Sequence, residues 1–182
     1  GNVSAMSWKI GSEAMRGYKF GYDGLDRLTE AGYLLNGAAN SNNSVSGITY
    51  DKHGNMKTIQ RRGKTTASAY GVIDKLTMTY QGNQLTGVAD AGTTVTIAES
   101  DDFKKGSTAS IQYAYNKNGA MTKDVNKKRS AISYNLLNLP SQVTIAGVNH
   151  KYTYSADGRK LKVTQGTDSR DYVGSVIYEN GS

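Results

Sequence analysis

Cysteine is absent from these 182 residues, and there are only one proline, one tryptophan and two phenylalanines. Without cysteine there is no disulfide, no thiolate nucleophile and no Cys-ligated zinc. No apolar run approaches the ~20 residues of a spanning helix, so no membrane insertion is expected. No signal-peptide pattern opens the chain. The two histidines, His53 and His150, lie in no recognisable ligand spacing. The Asp101-Asp102 pair lacks the terminal glutamate of an EF-hand loop and reads as a solvated turn. No glycine run sits as a phosphate cradle between strand and helix, and no serine sits in a nucleophile elbow. Nothing nominates a pair of glycosidase carboxylates. The chain is therefore read as a non-enzyme that needs no cofactor and no metal.

What it has instead is tyrosine, thirteen of them, with 21 glycines. Tyrosine favours strands and keeps a hydroxyl that needs a partner, which suits thin sheets better than a thick aliphatic core. The net charge of +7 collects at Arg61, Arg62 and Lys64, and at Lys117, Lys123, Lys127, Lys128 and Arg129. These read as solvated strand faces and lysine-protected edges. With no nucleic-acid module motif beside them, nucleic acid is not an expected partner.

Six segments align on one residue: Tyr22, Tyr50, Tyr80, Tyr115, Tyr134 and Tyr154. Two positions before each stands Phe20, Ile48, Met78, Tyr113, Ile132 or Tyr152, so both side chains leave one face of a strand. A polar turn follows, clearest in Asp51-Lys52-His53-Gly54, Asn116-Lys117-Asn118-Gly119 and Ser155-Ala156-Asp157-Gly158. Its first residue can bond back to the turn, and Gly54, Gly119 and Gly158 suit the positive φ of a type I turn with a G1 bulge. Leu28, Met56, Leu85, Met121, Leu139 and Leu161 then start a return strand. The unit is a β-hairpin of near 20 residues. Stacked hairpins predict one large, twisted and curved antiparallel sheet, an all-β array over residues 6–182 with a lead-in at 1–5.

Tyr178 reads as the start of a seventh, truncated unit. Gly1, as a cloning residue, and the Glu179-Asn180-Gly181-Ser182 ending suggest a piece of a longer chain. Anchor spacings above 20 predict insertions in the first half. Asn36–Ser46 is expected as a flexible loop. Arg62–Lys75 is expected to hold a helical turn at Ala67–Ile73. Ala89–Lys105 is expected to hold an extra strand at Thr93–Ala98 and an acidic turn at Glu99–Asp102. The anchor tyrosines are expected to be buried against one another across strands, with Asp23 and Arg27 bonding between repeats. Trp8 is the candidate ligand-stacking ring.

Tyr22-Asp23-Gly24-Leu25-Asp26-Arg27-Leu28-Thr29 is similar to the signature of the RHS/YD-repeat family. Tyr50-Asp51-Lys52-His53-Gly54-Asn55 and Tyr154-Ser155-Ala156-Asp157-Gly158-Arg159 resemble it too. The segment from Gly1 to Lys9 and Leu136-Leu137-Asn138-Leu139-Pro140 resemble segments of RHS proteins from Bacteroidetes. The resemblance runs from Met6 to Asn180. It implies a large secreted or surface-attached bacterial protein whose repeats wind into a shell around a C-terminal toxin used in competition between bacteria. Partners would then be the rest of the chain and the enclosed segment, with a surface glycan or protein as the alternative. Six repeats are too few to close a shell, and the self-cleavage signature with its paired aspartates is absent. Autoproteolysis and toxicity are therefore not carried over.

Overall fold

A computed structural model describes residues 1–98 and 100–181. The described residues form sixteen strands and no helix, and every strand pair is antiparallel. The all-β expectation holds. The single sheet does not, because two eight-stranded sheets form. The chain divides accordingly into two compact units, Gly1–Lys105 and the residues from Gly106 onward.

The first sheet contains β1 (Ala5–Trp8), β2 (Arg16–Tyr22), β3 (Leu28–Leu35), β4 (Ala38–Ala39), β5 (Val45–Tyr50), β6 (Met56–Lys64), β7 (Tyr70–Gln81) and β8 (Gln84–Asp90). Its order is β1-β2-β3-β5-β6-β7-β8, with β4 paired to β3. Its core is Ala31, Tyr33, Ile48, Ile73, Leu76 and Val88. The second sheet contains β9 (Tyr113–Tyr115), β10 (Met121–Asp124), β11 (Arg129–Tyr134), β12 (Pro140–Ile145), β13 (Val148–Tyr154), β14 (Lys160–Gln165), β15 (Asp168–Val173) and β16 (Val176–Glu179). These lie in strict sequence order. Its buried positions are few and mostly polar: Gln112, Asp124 and Asn126 beside Tyr113.

All six hairpins share one register defect. Each anchor pairs with the first return residue (Tyr22 with Leu28, Tyr50 with Met56, Tyr80 with Leu85, Tyr115 with Met121, Tyr134 with Pro140, Tyr154 with Lys160), and the next return residue is skipped. The extra residue is Thr29, Lys57, Thr86, Thr122, Ser141 or Leu161. In five of them the bulge follows a type I turn closed by a left-handed residue, whereas after Tyr80 a two-residue turn with Gly82 left-handed joins Gln81 to Gln84; a bulge sharpens local twist. Positive φ falls at Gly54, Gly119 and Gly158, as expected, and at Asp26 and Asn138 in the corresponding turns. In the first turn the left-handed residue is thus Asp26, not Gly24.

Three expectations for the insertions are corrected. Residues 62–75 contain no helical turn: β6 and β7 run on as a long hairpin closed by Thr66, whose hydroxyl accepts the Ala69 N–H at 3.0 Å. The β-branched Val72-Ile73 pair favours strand over the helix-forming alanines before it. Residues 36–46 are tied down: Asn36-Gly37 turns the chain into β4, and the Ser44 hydroxyl accepts the Tyr33 N–H at 3.0 Å. Residues 93–98 form no strand, because their backbone bonds are isolated, Thr93 N–H to Val72 O (2.7 Å) and Thr96 N–H to Thr65 O (3.0 Å). Of the acidic turn, Glu99 lies outside the described residues. Tyr178 sits on return strand β16 opposite Asp171, whereas every anchor sits on an outgoing strand.

Candidate functional site

The repeated side chains build one device again and again. Four anchor hydroxyls donate to a carbonyl of the preceding hairpin: Tyr50 to Leu28 O (2.8 Å), Tyr80 to Met56 O (2.9 Å), Tyr134 to Met121 O (2.6 Å) and Tyr154 to Pro140 O (3.0 Å). In each case the acceptor is the residue paired with the previous anchor. Tyr22 begins the series by donating to Val3 O at 2.8 Å. The six anchors are half-buried rather than buried. The ring contacts of the described residues join Trp8, Tyr18, Phe20 and Tyr33, not one anchor to another. What holds the anchors is therefore the latch, because the hydroxyl at the ring's far end reaches a carbonyl that ring stacking would leave unbonded. Burial pushes the Tyr80 and Tyr154 hydroxyls above their ordinary range, which keeps them protonated donors. Removing one hydroxyl, as in Tyr134→Phe, is expected to cost about 1 kcal/mol, read from the midpoint of urea unfolding.

The turns supply a second set of bonds. Asp51 Oδ1 accepts the N–H groups of His53 (2.8 Å) and Asn55 (2.9 Å), while Asp23 Oδ1 accepts those of Leu25 (2.9 Å) and Arg27 (3.0 Å). Asn116 and Asn135 repeat the pattern without charge. Gly54, Gly119 and Gly158 each donate to the carbonyl of the turn's first residue. The Arg27 Nε bonds Asp23 Oδ2 at 2.7 Å within its own turn. Its guanidinium lies 4.5 Å from the centre of the Tyr50 ring and reaches Asp51 O at 3.4 Å. Of the pair expected to bond between repeats, Arg27 does so, whereas Asp23 bonds within its own turn. Arg159 stays exposed, 3.4 Å from Asp157.

The Arg27 guanidinium and N–H hold the Asp23 carboxyl below its ordinary range; the Asn55 amide, helped by the Asn55 and His53 N–H groups, does the same for Asp51. A depressed folded-state value means that these carboxylates favour the fold above the unfolded value of about 3.9 and lose that contribution as pH falls through the folded value. Asp51→Asn should therefore narrow the gap between melting temperatures at neutral and strongly acid pH, since Asn116 and Asn135 already serve in this role.

Trp8 is half-buried on edge strand β1, with one face turned to Tyr18 (centroids 6.0 Å, 27°). His53 is exposed in its turn, and His150 lies on β13 between Val143 and Gln165. Asp102 contacts Ser100 and Lys104, whereas Asp101 contributes its carbonyl to Arg61 at 2.6 Å. Among the described residues no three His, Asp or Glu gather as a metal site would require. A cleft of about 400 Å³ in the first unit is lined by Tyr18, Val45, Arg61, Ile73, Ile97 and Asp101. A polar groove of about 270 Å³ in the second is lined by Gln165, Asp168, Tyr172 and the Arg170–Glu179 pair.

The buried polar latches were not expected. Asp74 is fully enclosed; Arg61 Nε reaches its Oδ2 at 2.6 Å, and the Phe103 N–H reaches its Oδ1 at 2.6 Å. A bulge at Ile73 turns Ile73 and Asp74 to the same face. In the second unit Asn126 Nδ2 donates to Gln112 Oε1 (2.7 Å) and Tyr113 Oη (3.0 Å), and its Oδ1 accepts the Gly106 N–H (3.0 Å). Asn36 and Asn180 form a third recurring device, each exchanging two bonds with one residue, Met15 just before β2 and Ser169 on β15 respectively. The Asn-Gly dipeptides at 36–37 and 180–181 were the available signal for these turns.

No model of a known family matches the chain, and no curated protein does.

Proposed function

We propose that the chain is a non-catalytic wall segment of a secreted or cell-surface bacterial protein of the RHS type, part of a β-shell that encloses or displays a C-terminal segment. The tyrosine latch carries this reading. Within each sheet, a hydroxyl from one hairpin fastened to the backbone of the hairpin before it lets the sheet grow unit by unit without a thick core. Such a sheet is suited to forming a barrier, and the bulge after every anchor supplies repeated twist. The test is limited proteolysis of the protein encoded by the whole gene. A downstream segment should resist protease while the array is intact and be digested when the hairpins from Tyr115 to Tyr154 are deleted. Equal digestion in both forms would overturn the reading. The groove beside Tyr172 favours a second reading, a carbohydrate-binding surface, because an aromatic ring stands there among planar amide and carboxylate groups. A glycan array with Tyr172→Ala and Trp8→Ala variants would separate the two.

A further inference from the structure

The second unit carries large apolar side chains at a place where its fold has no use for them. Leu136 and Leu137 stand at the tip of the turn between β11 and β12, with relative exposures of 106% and 51%. That turn is closed without them: Asn135 Oδ1 accepts the N–H groups of Leu137 (3.0 Å) and Leu139 (2.9 Å), and Asn138 takes the left-handed conformation. The same two positions hold Lys52-His53, Lys117-Asn118 and Ala156-Asp157 in other turns and Gly24-Leu25 in the first, so that only here do two large apolar side chains stand together. Turn tips are ordinarily polar, and water-exposed leucine side chains gain by leaving water for an apolar phase.

The surroundings of these leucines are basic. Because the strands of this sheet lie in sequence order, the turns after β9, β11, β13 and β15 share one end of it. Neighbouring tips there are ~10 Å apart, two strand spacings. Lys117 stands exposed on one side of the leucine tip, and Arg159 and Lys160 on the other. The acid in these turns, Asp157, is already paired with Arg159. Exposed Val173 and Val176 flank the last turn at the same end.

We propose that this end of the second unit docks on the surface of an anionic lipid bilayer. Leu136 and Leu137 enter the boundary between headgroups and acyl chains, while Lys117 and Lys160 lie against lipid phosphates. Protruding apolar tips with lysines beside them match an interface that is apolar below and anionic above. A protein groove is the weaker match, since the leucines form a convex tip rather than a broad patch. The unit would lie on the membrane and not span it, and the inference does not depend on the wall reading.

The test uses co-sedimentation of the whole chain with vesicles of equal parts phosphatidylglycerol and phosphatidylcholine, against phosphatidylcholine alone. The chain should bind the anionic vesicles more tightly. The double substitution Leu136→Ser, Leu137→Ser should weaken that binding by about tenfold or more at an unchanged melting temperature. Lys117→Gln with Lys160→Gln should remove most of the salt dependence. A chain that ignores both vesicles overturns the proposal, as does binding that survives loss of the leucines or capture by a protein surface alone.

Discussion

Alanine in place of Asp74 is expected to destabilise the first unit by about 3 kcal/mol, lowering its melting temperature by about 10–20 °C. The cost sits at the low end for a broken buried ion pair because Arg61 retains 34% of its side-chain exposure, and water can take over part of its solvation. Asp74 itself has no exposed surface, so its loss leaves a polar hole beneath residues 100–103. Two attachments go together. Arg61 loses the carboxylate that fixes its guanidinium, and Arg61 is what holds the Asp101 carbonyl. The Phe103 N–H loses its acceptor as well. Asp74→Asn should fall between wild type and alanine, since an amide oxygen still accepts from Phe103 but carries no charge for Arg61. Replacing both partners, Arg61→Met with Asp74→Leu, should recover much of the stability, because a well-packed apolar pair spares two charges their desolvation. Calorimetry of the four proteins decides the matter. An alanine variant that melts with wild type would mean that residues 100–103 are held by something other than Asp74.

What could be read beforehand and what could not follow from the range of the interactions. The hairpin is a local object. An anchor tyrosine, a turn residue whose side chain bonds two to four positions ahead, and a return apolar residue all lie within ten positions, so period-two patterning and turn chemistry recover it. The tyrosine latch was half legible: the hydroxyl's need for a partner was clear, but its acceptor is a backbone carbonyl, which has no residue-type signature. Asp74 gave no signal, since a bulge placed it on the inner face where strict alternation would have turned it to solvent. The helical turn expected near Ala67–Ile73 failed for the converse reason. Alanine and serine there have local helix propensity, but Gly63 and Gly71 face each other across a ladder that extends the strands to Lys64 and Tyr70. The division into two sheets turns on Asp90, whose Oδ1 accepts both the Lys75 and Gly92 N–H groups and ends the β7–β8 ladder. Exposed Leu136 and Leu137 were visible in the sequence, but only the structure shows that their turn closes without them.

Asn126→Ala should cost the second unit about 2–3 kcal/mol, a large fraction for a sheet with so little apolar core. Three bonds pass through this amide, and alanine cannot replace any of them. The Gly106 N–H suffers most directly, because it is bound to Asn126 Oδ1 while its own α-carbon lies hard against the Asn126 backbone. A β-carbon at residue 106 would come within 2.4 Å of Asn126 O. The consequence reaches the exposed Lys104-Lys105 pair, whose chain is held on one side by Phe103 on Asp74 and on the other by Gly106 on Asn126. Trypsin should therefore cleave after Lys105 faster in Asn126→Ala than in wild type, while peptides from β2 to β7 keep their hydrogen-exchange protection. Asn126→Asp supplies the control: its carboxylate still accepts from Gly106 but cannot donate to Gln112 or Tyr113. It should leave the Gly106 attachment slow to cleave and still lower the melting temperature of the second unit. If both variants were cut at the same rate as wild type, Gly106 would be anchored by its neighbours and the Asn126 side chain would serve only the Gln112–Tyr113 side of the knot.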